Sequence, residues 1–270
     1  SADRNSSNGA EQGRYPMTAS LSRRVIGIGL KMYLDHAQTH DWLQRLTASV
    51  ADHPALREGA ITLFVLPTFP SLITAQSVLV GTGIQFGAQN LAWEDAGPFT
   101  GEVSGVELAQ IGCGFVEIGH AERRSIFGED DAMLAKKFEA AVRSGLTPVV
   151  CVGESARMDA EPAASECTRQ LDAIAGAAGT DSSVIVAYEP VWAIGAAEPA
   201  SAAHIRFVGE HLRRYLREGS HGAQFRVLYG GSARAGLMPD LRDAVDGLFL
   251  GRAAHDVDVV RRVLDECAAM

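Results

Sequence analysis

The sequence lacks what a covalent scaffold, a membrane span or a metal cluster would require. Its four cysteines, Cys113, Cys151, Cys167 and Cys267, are far apart and form neither a CxxC pair nor a Cys/His ligand spacing. This argues against a disulfide framework or a structural metal site, and it reads as free thiols in a reducing cytoplasm, the compartment expected for this chain. No run approaches the roughly 18 apolar residues of a membrane helix, and no signal-peptide core is present, so no membrane partner is expected. Positive charge is also scarce: 24 Lys and Arg stand against 33 Asp and Glu, a formal net charge of −9. Nucleic acid and anionic lipid surfaces need clustered positive charge, so neither is expected, and an anionic ligand must be held locally. No repeat of fixed period is found.

What is present is enough for one sizeable core: 270 residues, 47% hydrophobic. The opening 1–16, SADRNSSNGAEQGRYP, is polar and Gly/Ser-rich and reads as a disordered leader or an expression remnant, leaving 17–270 as the domain. Eight short apolar runs read as strands: 24–30, 61–66, 84–89, 115–119, 147–153, 183–189, 224–230 and 247–251. Several are hydrophobic almost without interruption, as parallel strands covered on both faces are. Helical spacing recurs between them. Leu134, Phe138, Ala141 and Val142 follow an Asp130-Asp131 start and stop at Gly145; Ile205, Val208, Leu212 and Leu216 follow a Ser201 cap and stop at Gly219; Val260, Val263, Leu264 and Cys267 share one face. Eight strands alternating with helices over about 250 residues predict an α/β fold, a single (β/α)8 barrel. A doubly wound open sheet has the same alternation, but it favours a GxGxxG turn after the first strand, which is absent.

In a barrel, polar residues at the C-terminal strand ends converge on one face. This brings together Lys31, Gln89, His120, Glu154, Glu189 and the turn Tyr229-Gly230-Gly231-Ser232. Glu189, just beyond a buried strand, suits a general base; ion pairing with a cation is the plainer alternative. His120 stands where a strand hands over to a helix, a place that disfavours imidazolium and lets a neutral ring donate to a substrate oxygen, although a purely structural histidine also fits. Lys31 supplies charge for an anion. Glycine-bearing turns at Gly195, Gly230-Gly231-Ser232 and Gly251-Arg252, after strands six, seven and eight, suit a phosphate group, with two of the three placed to feed helix N-termini.

AYEPVWAIG (187–195), GHAERR (119–124), QN with PFTGE (89–90, 98–102), CVGE (151–154) and YGGS (229–232) occur in one order over 24–270. In this combination the chain resembles the triosephosphate isomerase family. The resemblance implies a TIM barrel and an isomerase without metal or organic cofactor. It implies that Glu189 moves a proton between adjacent carbons while His120, as neutral electrophile, polarises the substrate oxygens; this family is the standard worked case of that pairing, which spacing alone does not give. It gives Lys31 substrate charge and the enediolate, Glu122 a place beside that lysine, and the Gly195 N–H the phosphate on lid closure; Ser232, Gly230, Gly231 and Gly251 complete the phosphate turns, and Arg252 either adds charge to the phosphate or points away. Glu189 would head a mobile lid hinged at Pro190 and Trp192 and latched by Tyr229 and Ser232. The loop 97–102, with Thr100 in the contacting position, resembles one that docks on a neighbouring subunit and implies a homodimer.

The departures from the family's pattern cluster in the pocket. The usual Asn-Trp-Lys-Met-Asn is Gly29-Leu30-Lys31-Met32-Tyr33, which keeps the lysine and loses both asparagines. Ala121 replaces a serine, Ala196-Ala197-Glu198 replaces Thr-Gly-Lys, and Arg252 replaces a glycine. Gly29 removes a polar contact and opens space, which favours a small phosphorylated ketose larger than a triose: a four-carbon erythrulose phosphate, as in the branch of the family used in tetritol breakdown. The alternatives are an authentic triosephosphate isomerase, converting dihydroxyacetone phosphate to glyceraldehyde 3-phosphate, and a noncatalytic sugar-phosphate sensor. An aldolase would need a Schiff-base lysine at a mid-barrel strand or a metal cluster, and neither is evident.

Overall fold

The computed structural model describes residues 21–175, 183–219 and 224–270. The 1–16 leader lies outside them. Eight strands, β1 (Arg24–Gly29), β2 (Ile61–Leu66), β3 (Gln85–Ala88), β4 (Phe115–Ile118), β5 (Thr147–Val152), β6 (Val184–Tyr188), β7 (Phe225–Tyr229) and β8 (Gly247–Leu250), pair in sequence order, and β8 pairs back to β1 to close a barrel. Every pairing is parallel. Barrel closure settles the choice left open by periodicity in favour of the (β/α)8 fold.

The helices are α1 (His36–Val50), α2 (Pro54–Arg57), α3 (Leu72–Leu79), α4 (Gly105–Gln110), α5 (Ala121–Phe127), α6 (Asp131–Arg143), α7 (Ala160–Ala175), α8 (Ala202–Glu218), α9 (Met238–Leu241) and α10 (Val257–Ala268). Their starts follow the caps in the sequence: Asp130 accepts from the Met133 N–H to open α6, and Ser201 accepts from the His204 N–H to open α8. Gly145 takes a positive φ of 75° just past α6, a conformation that ends a helix easily only when no Cβ is present.

The apolar runs are continuous because each strand feeds two cores. Alternate residues point inward, where Phe64 stacks on Phe115 at 4.3 Å alongside Phe249, Val149, Cys151 and Ile185. The others, such as Ile28, Val116, Val150 and Val186, pack outward against the helices. Aromatic rings inside so narrow a barrel need room from the strand between them, and Gly27, in register with both Phe64 and Phe249, supplies it: a Cβ there would sit 2.5 Å from Phe249 and 2.6 Å from Phe64.

The closing seam depends on a second glycine. Gly247 is aligned with Val25 across β8 and β1, and a Cβ on it would sit 1.7 Å from the Val25 carbonyl oxygen. Because the obstacle is backbone, relief requires strand displacement. Gly247→Ala is therefore expected to lower unfolding free energy in urea by about 3 kcal/mol or more. A loss below about 1 kcal/mol would show the seam to be looser than described.

Candidate active site

β4 ends at Ile118, and the chain turns through Gly119, at φ 76°, into α5. His120 occupies the cap position, and its Nδ1 accepts the backbone N–H of Glu122 at 3.1 Å. A ring nitrogen that accepts carries no proton, so in the neutral ring the single proton resides on Nε2. That nitrogen faces the barrel mouth, 3.7 Å from Glu189 Oε2.

Glu189 follows β6 and is buried, with Oε1 lacking a hydrogen-bond partner among the described residues. An unpaired buried carboxyl oxygen is unfavourable to folding, but it is what proton abstraction from carbon requires, because a C–H bond offers no ground-state hydrogen bond to compete for. Two glycines hold the group in place. A Cβ on Gly230 would lie 2.5 Å from Glu189 Cγ, and one on Gly153 would lie 2.0 Å from the Glu189 carbonyl oxygen.

Lys31 sits just past β1 with φ 51°, a left-handed backbone that a lysine adopts only under constraint. The constraint includes Gln89, whose Nε2 donates to the Lys31 carbonyl at 2.9 Å. Lys31 Nζ donates to Glu122 Oε1 at 2.6 Å, so Glu122 joins lysine and histidine through its side chain and its backbone respectively.

These residues line a cavity of about 370 Å³ with Gly29, Tyr33, Glu117, Gly195, Gly230, Ser232, Phe249, Gly251 and Arg252. Ser232, also at a left-handed φ of 55°, donates to the carbonyls of Ala193 at 2.7 Å and Ala196 at 3.0 Å. Tyr229 Oη accepts from the Ala200 N–H at 2.9 Å, and Trp192 Nε1 donates to Glu154 at 2.9 Å. The segment from Pro190 to Ala200 is thereby fastened at both ends over the cavity.

Sequence profiles place the chain among known proteins. The profile described as triosephosphate isomerase matches residues 24–267. An L-erythrulose-1-phosphate isomerase from Pectobacterium atrosepticum is 45% identical, covering 92% of this chain and 96% of that protein. A triosephosphate isomerase from Halorhodospira halophila is 40% identical over 88% of this chain and 95% of its own length. The crystal structure of triosephosphate isomerase from Bartonella henselae superposes with a TM-score of 0.75 at 29% identity, covering 90% of this chain and 98% of that one.

The chain belongs to the triosephosphate isomerase family. It is an isomerase, and Glu189, His120 and Lys31, the residues expected from the sequence to do its chemistry, meet at one mouth of the barrel. One expectation needs correction. Glu154 does not face the cavity: it is fully buried behind the lid hinge, bonded by Trp192 and Tyr188. Gly231 stands beside the cavity-lining Gly230 and Ser232, and its lack of a side chain is required because a Cβ would meet Tyr229 Oη at 2.7 Å and Pro190 Cδ at 3.0 Å. Gly251 leads directly into a helical turn, Arg252–His255, whereas the Gly230 turn is separated from α9. Arg252 does turn toward the lid, its Nη2 3.8 Å from the Cβ position of Gly195, and Tyr33 lies under its guanidinium at 5.9 Å. Thr100 is exposed on its loop.

Two charged lining residues were not expected from the sequence. Arg234 lines the lid side and pairs with Glu198, the residue that replaces a family lysine. Glu117 is the other. It points inward from β4 with Cys151 donating to its Oε1 at 3.5 Å, and burial, reinforced by the Glu189 charge, pushes its pKa up from 4.5 to about 7. A lone carboxyl inside the apolar run FVEI was the available signal. Donor atoms of Glu117, His120 and Glu189 lie within 4.8 Å of one another, a spacing that a divalent cation can also bridge.

Glu117 links stability to pH. The folded protein holds its proton up to about pH 7, while the unfolded chain releases it near 4.5. The contribution is therefore complete below the unfolded value and lost as pH rises through the folded one, amounting to about 3 kcal/mol at most. Glu117→Gln removes this dependence. In urea unfolding the variant should gain about 2 kcal/mol on wild type between about pH 5 and pH 8. A difference that stays constant with pH would refute this assignment.

Proposed function

We propose that this isomerase interconverts L-erythrulose 1-phosphate and D-erythrulose 4-phosphate through an enediolate. The observation that carries the reading is Gly29 at the cavity wall, where the family has an asparagine, in a pocket that otherwise retains Lys31, His120 and Glu189. The name of the Pectobacterium relative points the same way.

The chemistry is redox-neutral. Glu189 takes the proton from C3 of the 1-phosphate while the C2 carbonyl oxygen accepts a hydrogen bond from His120 Nε2–H, giving a 2,3-enediolate. Lys31 offsets its charge. His120 moves a proton between the two oxygens, and Glu189 returns its proton to C2, leaving the ketone at C3. Renumbered from the other end, the product is erythrulose 4-phosphate. Gly195, Ser232, Gly230, Gly251 and Arg252 hold the phosphate, and the lid from Pro190 through Trp192, latched by Tyr229 and Ser232, keeps water from the enediolate, which could otherwise eliminate phosphate. None of these steps requires a metal.

A second reading, triosephosphate isomerase itself, has one observation in its favour. The space at Gly29 is bounded by Phe249, whose ring lies 3.4 Å from where a Cβ would be, so the site is narrower than loss of an asparagine alone suggests.

Proton NMR in deuterated water, with D-erythrulose 4-phosphate and dihydroxyacetone phosphate offered in parallel, separates the two. Conversion with deuterium uptake is expected with the tetrulose, and Glu189→Gln should reduce it by about 10²–10⁴-fold. Faster conversion of the triose would identify the second reading as correct.

The protein acts as a homodimer in this proposal. A groove of about 440 Å³ beside Lys31 is lined by Met32, Phe69, Pro70, Ile126 and Phe127, of which Met32 is 88% and Ile126 70% exposed. Apolar surface of this kind, adjoining the active site, suits the protruding loop of a second copy carrying Thr100. Light scattering after size exclusion is expected to give twice the 28.7 kDa of one chain. A stable monomer would remove the dimer, and with it Thr100 as a contact.

A further inference from the structure

Glu117 has no part in the proton transfers set out above, yet it occupies the most demanding position in the pocket for a carboxyl group. It lies in register with Phe115 on the inner face of β4, deeper in the barrel than His120, which stands beyond the strand's end. It is 7% exposed and lines the cavity. Among the described residues its hydrogen-bond contact is the Cys151 thiol, a weak donor, and it has no ion-pair partner. A carboxyl buried with so little support lowers stability, so its presence calls for a partner that arrives from the cavity.

The layout of the cavity identifies where that partner would be. The phosphate turns lie past the ends of β6, β7 and β8, at the rim, whereas Gly29, Glu117 and Phe249 form the deep end. A ketose phosphate held at the rim by its phosphate, with its central carbons at His120 and Glu189, directs its unphosphorylated end toward Glu117. In a triose that end is the reacting hydroxymethyl carbon itself. In a tetrulose it carries one further hydroxymethyl group.

We infer that Glu117 is a specificity-determining residue whose carboxyl group bonds the terminal hydroxyl that a four-carbon ketose phosphate has and a three-carbon one lacks. The inference rests on the tetrulose reading. A hydroxyl desolvated at that depth needs a partner, and a site built for it disfavours the analogue that leaves its polar group unpaired. The protonation pattern agrees. Desolvation and the nearby Glu189 charge raise the Glu117 pKa, while His120 and Lys31 lower it, so near neutrality this carboxyl can hold a proton.

The test compares wild type, Glu117→Gln and Glu117→Leu on L-erythrulose 1-phosphate and dihydroxyacetone phosphate. Calorimetric binding of erythritol 4-phosphate and glycerol 3-phosphate gives a second readout. Wild type should favour the tetrulose. Glu117→Gln, which can still donate and accept, should retain kcat/KM on it within about 10-fold. Glu117→Leu should lose about 10²–10³-fold on the tetrulose and less than about 5-fold on the triose, with erythritol 4-phosphate affinity falling and glycerol 3-phosphate affinity unchanged. Retained glycerol 3-phosphate binding also reports that the variant is folded; if leucine prevents folding, Glu117→Ala reads the same ratio. Equal losses on both substrates, or none on either, would overturn the role of Glu117 while leaving the substrate reading intact. A wild-type preference for the triose would overturn both.

Discussion

The hydrogen bond from the Glu122 backbone N–H to His120 Nδ1 is the contact on which the rest of the site depends. It exists because His120 caps α5 and the first N–H groups of a helix have no intrahelical acceptor. By occupying Nδ1 it assigns the ring proton to Nε2 and orients that nitrogen toward the barrel mouth. The same residue, Glu122, then reaches Lys31 with its side chain. One helix start thus orients the hydrogen-bond donor and anchors the cation, and Glu189 reaches them from the end of β6, two strands from β4.

Enclosure makes this arrangement reactive and also makes it unfavourable to fold. Two carboxyls, Glu117 and Glu189, and an imidazole share a space of a few ångströms under low exposure. Desolvation strengthens every interaction among them, with substrate as much as with one another. The protein tolerates this because the surrounding backbone is closely packed. Gly153 and Gly230 admit Glu189 at distances no side chain would allow, and Gly231 makes room for Tyr229 and Pro190. Tyr229, Ser232 and Trp192 then fasten the lid segment from three directions. Left-handed backbone at Lys31 and Ser232 places local strain at the same rim, offset by the barrel beneath it.

The family's chemistry and the pocket's specificity occupy different depths. Lys31, His120, Glu189 and the glycine turns form the rim and the reacting layer, whereas Gly29, Glu117 and Phe249 form the floor. In the proposed reaction the floor sets which unphosphorylated end can be accommodated, while the proton transfers are assigned to the layer above it. In the proposed reading, the departure at Gly29 and the carboxyl of Glu117 bear on substrate size, and Glu117 does so within 4.8 Å of His120 and Glu189.

Strand positions were legible in the sequence because parallel strands covered on both faces must be apolar without interruption; ITLFVL is β2 residue for residue, and the other runs exceed their strands by only a residue or two. Helix starts were legible because caps are local: Asp130 and Ser201 bond within their own first turns. Lys31, His120 and Glu189 were legible because a barrel sends strand-end residues to one face. What the sequence could not determine was side-chain direction and distance. Glu154 also follows a strand, yet it turns behind the lid, because Trp192, Tyr188 and His204 provide its bonds there. Gly29 suggested open space, but only packing brought Phe249 across it. Glu117 reads as one charge among apolar neighbours until the curvature of the barrel sets it beside His120 and Glu189, residues whose proximity depends on eight strands closing and on nothing local to FVEI.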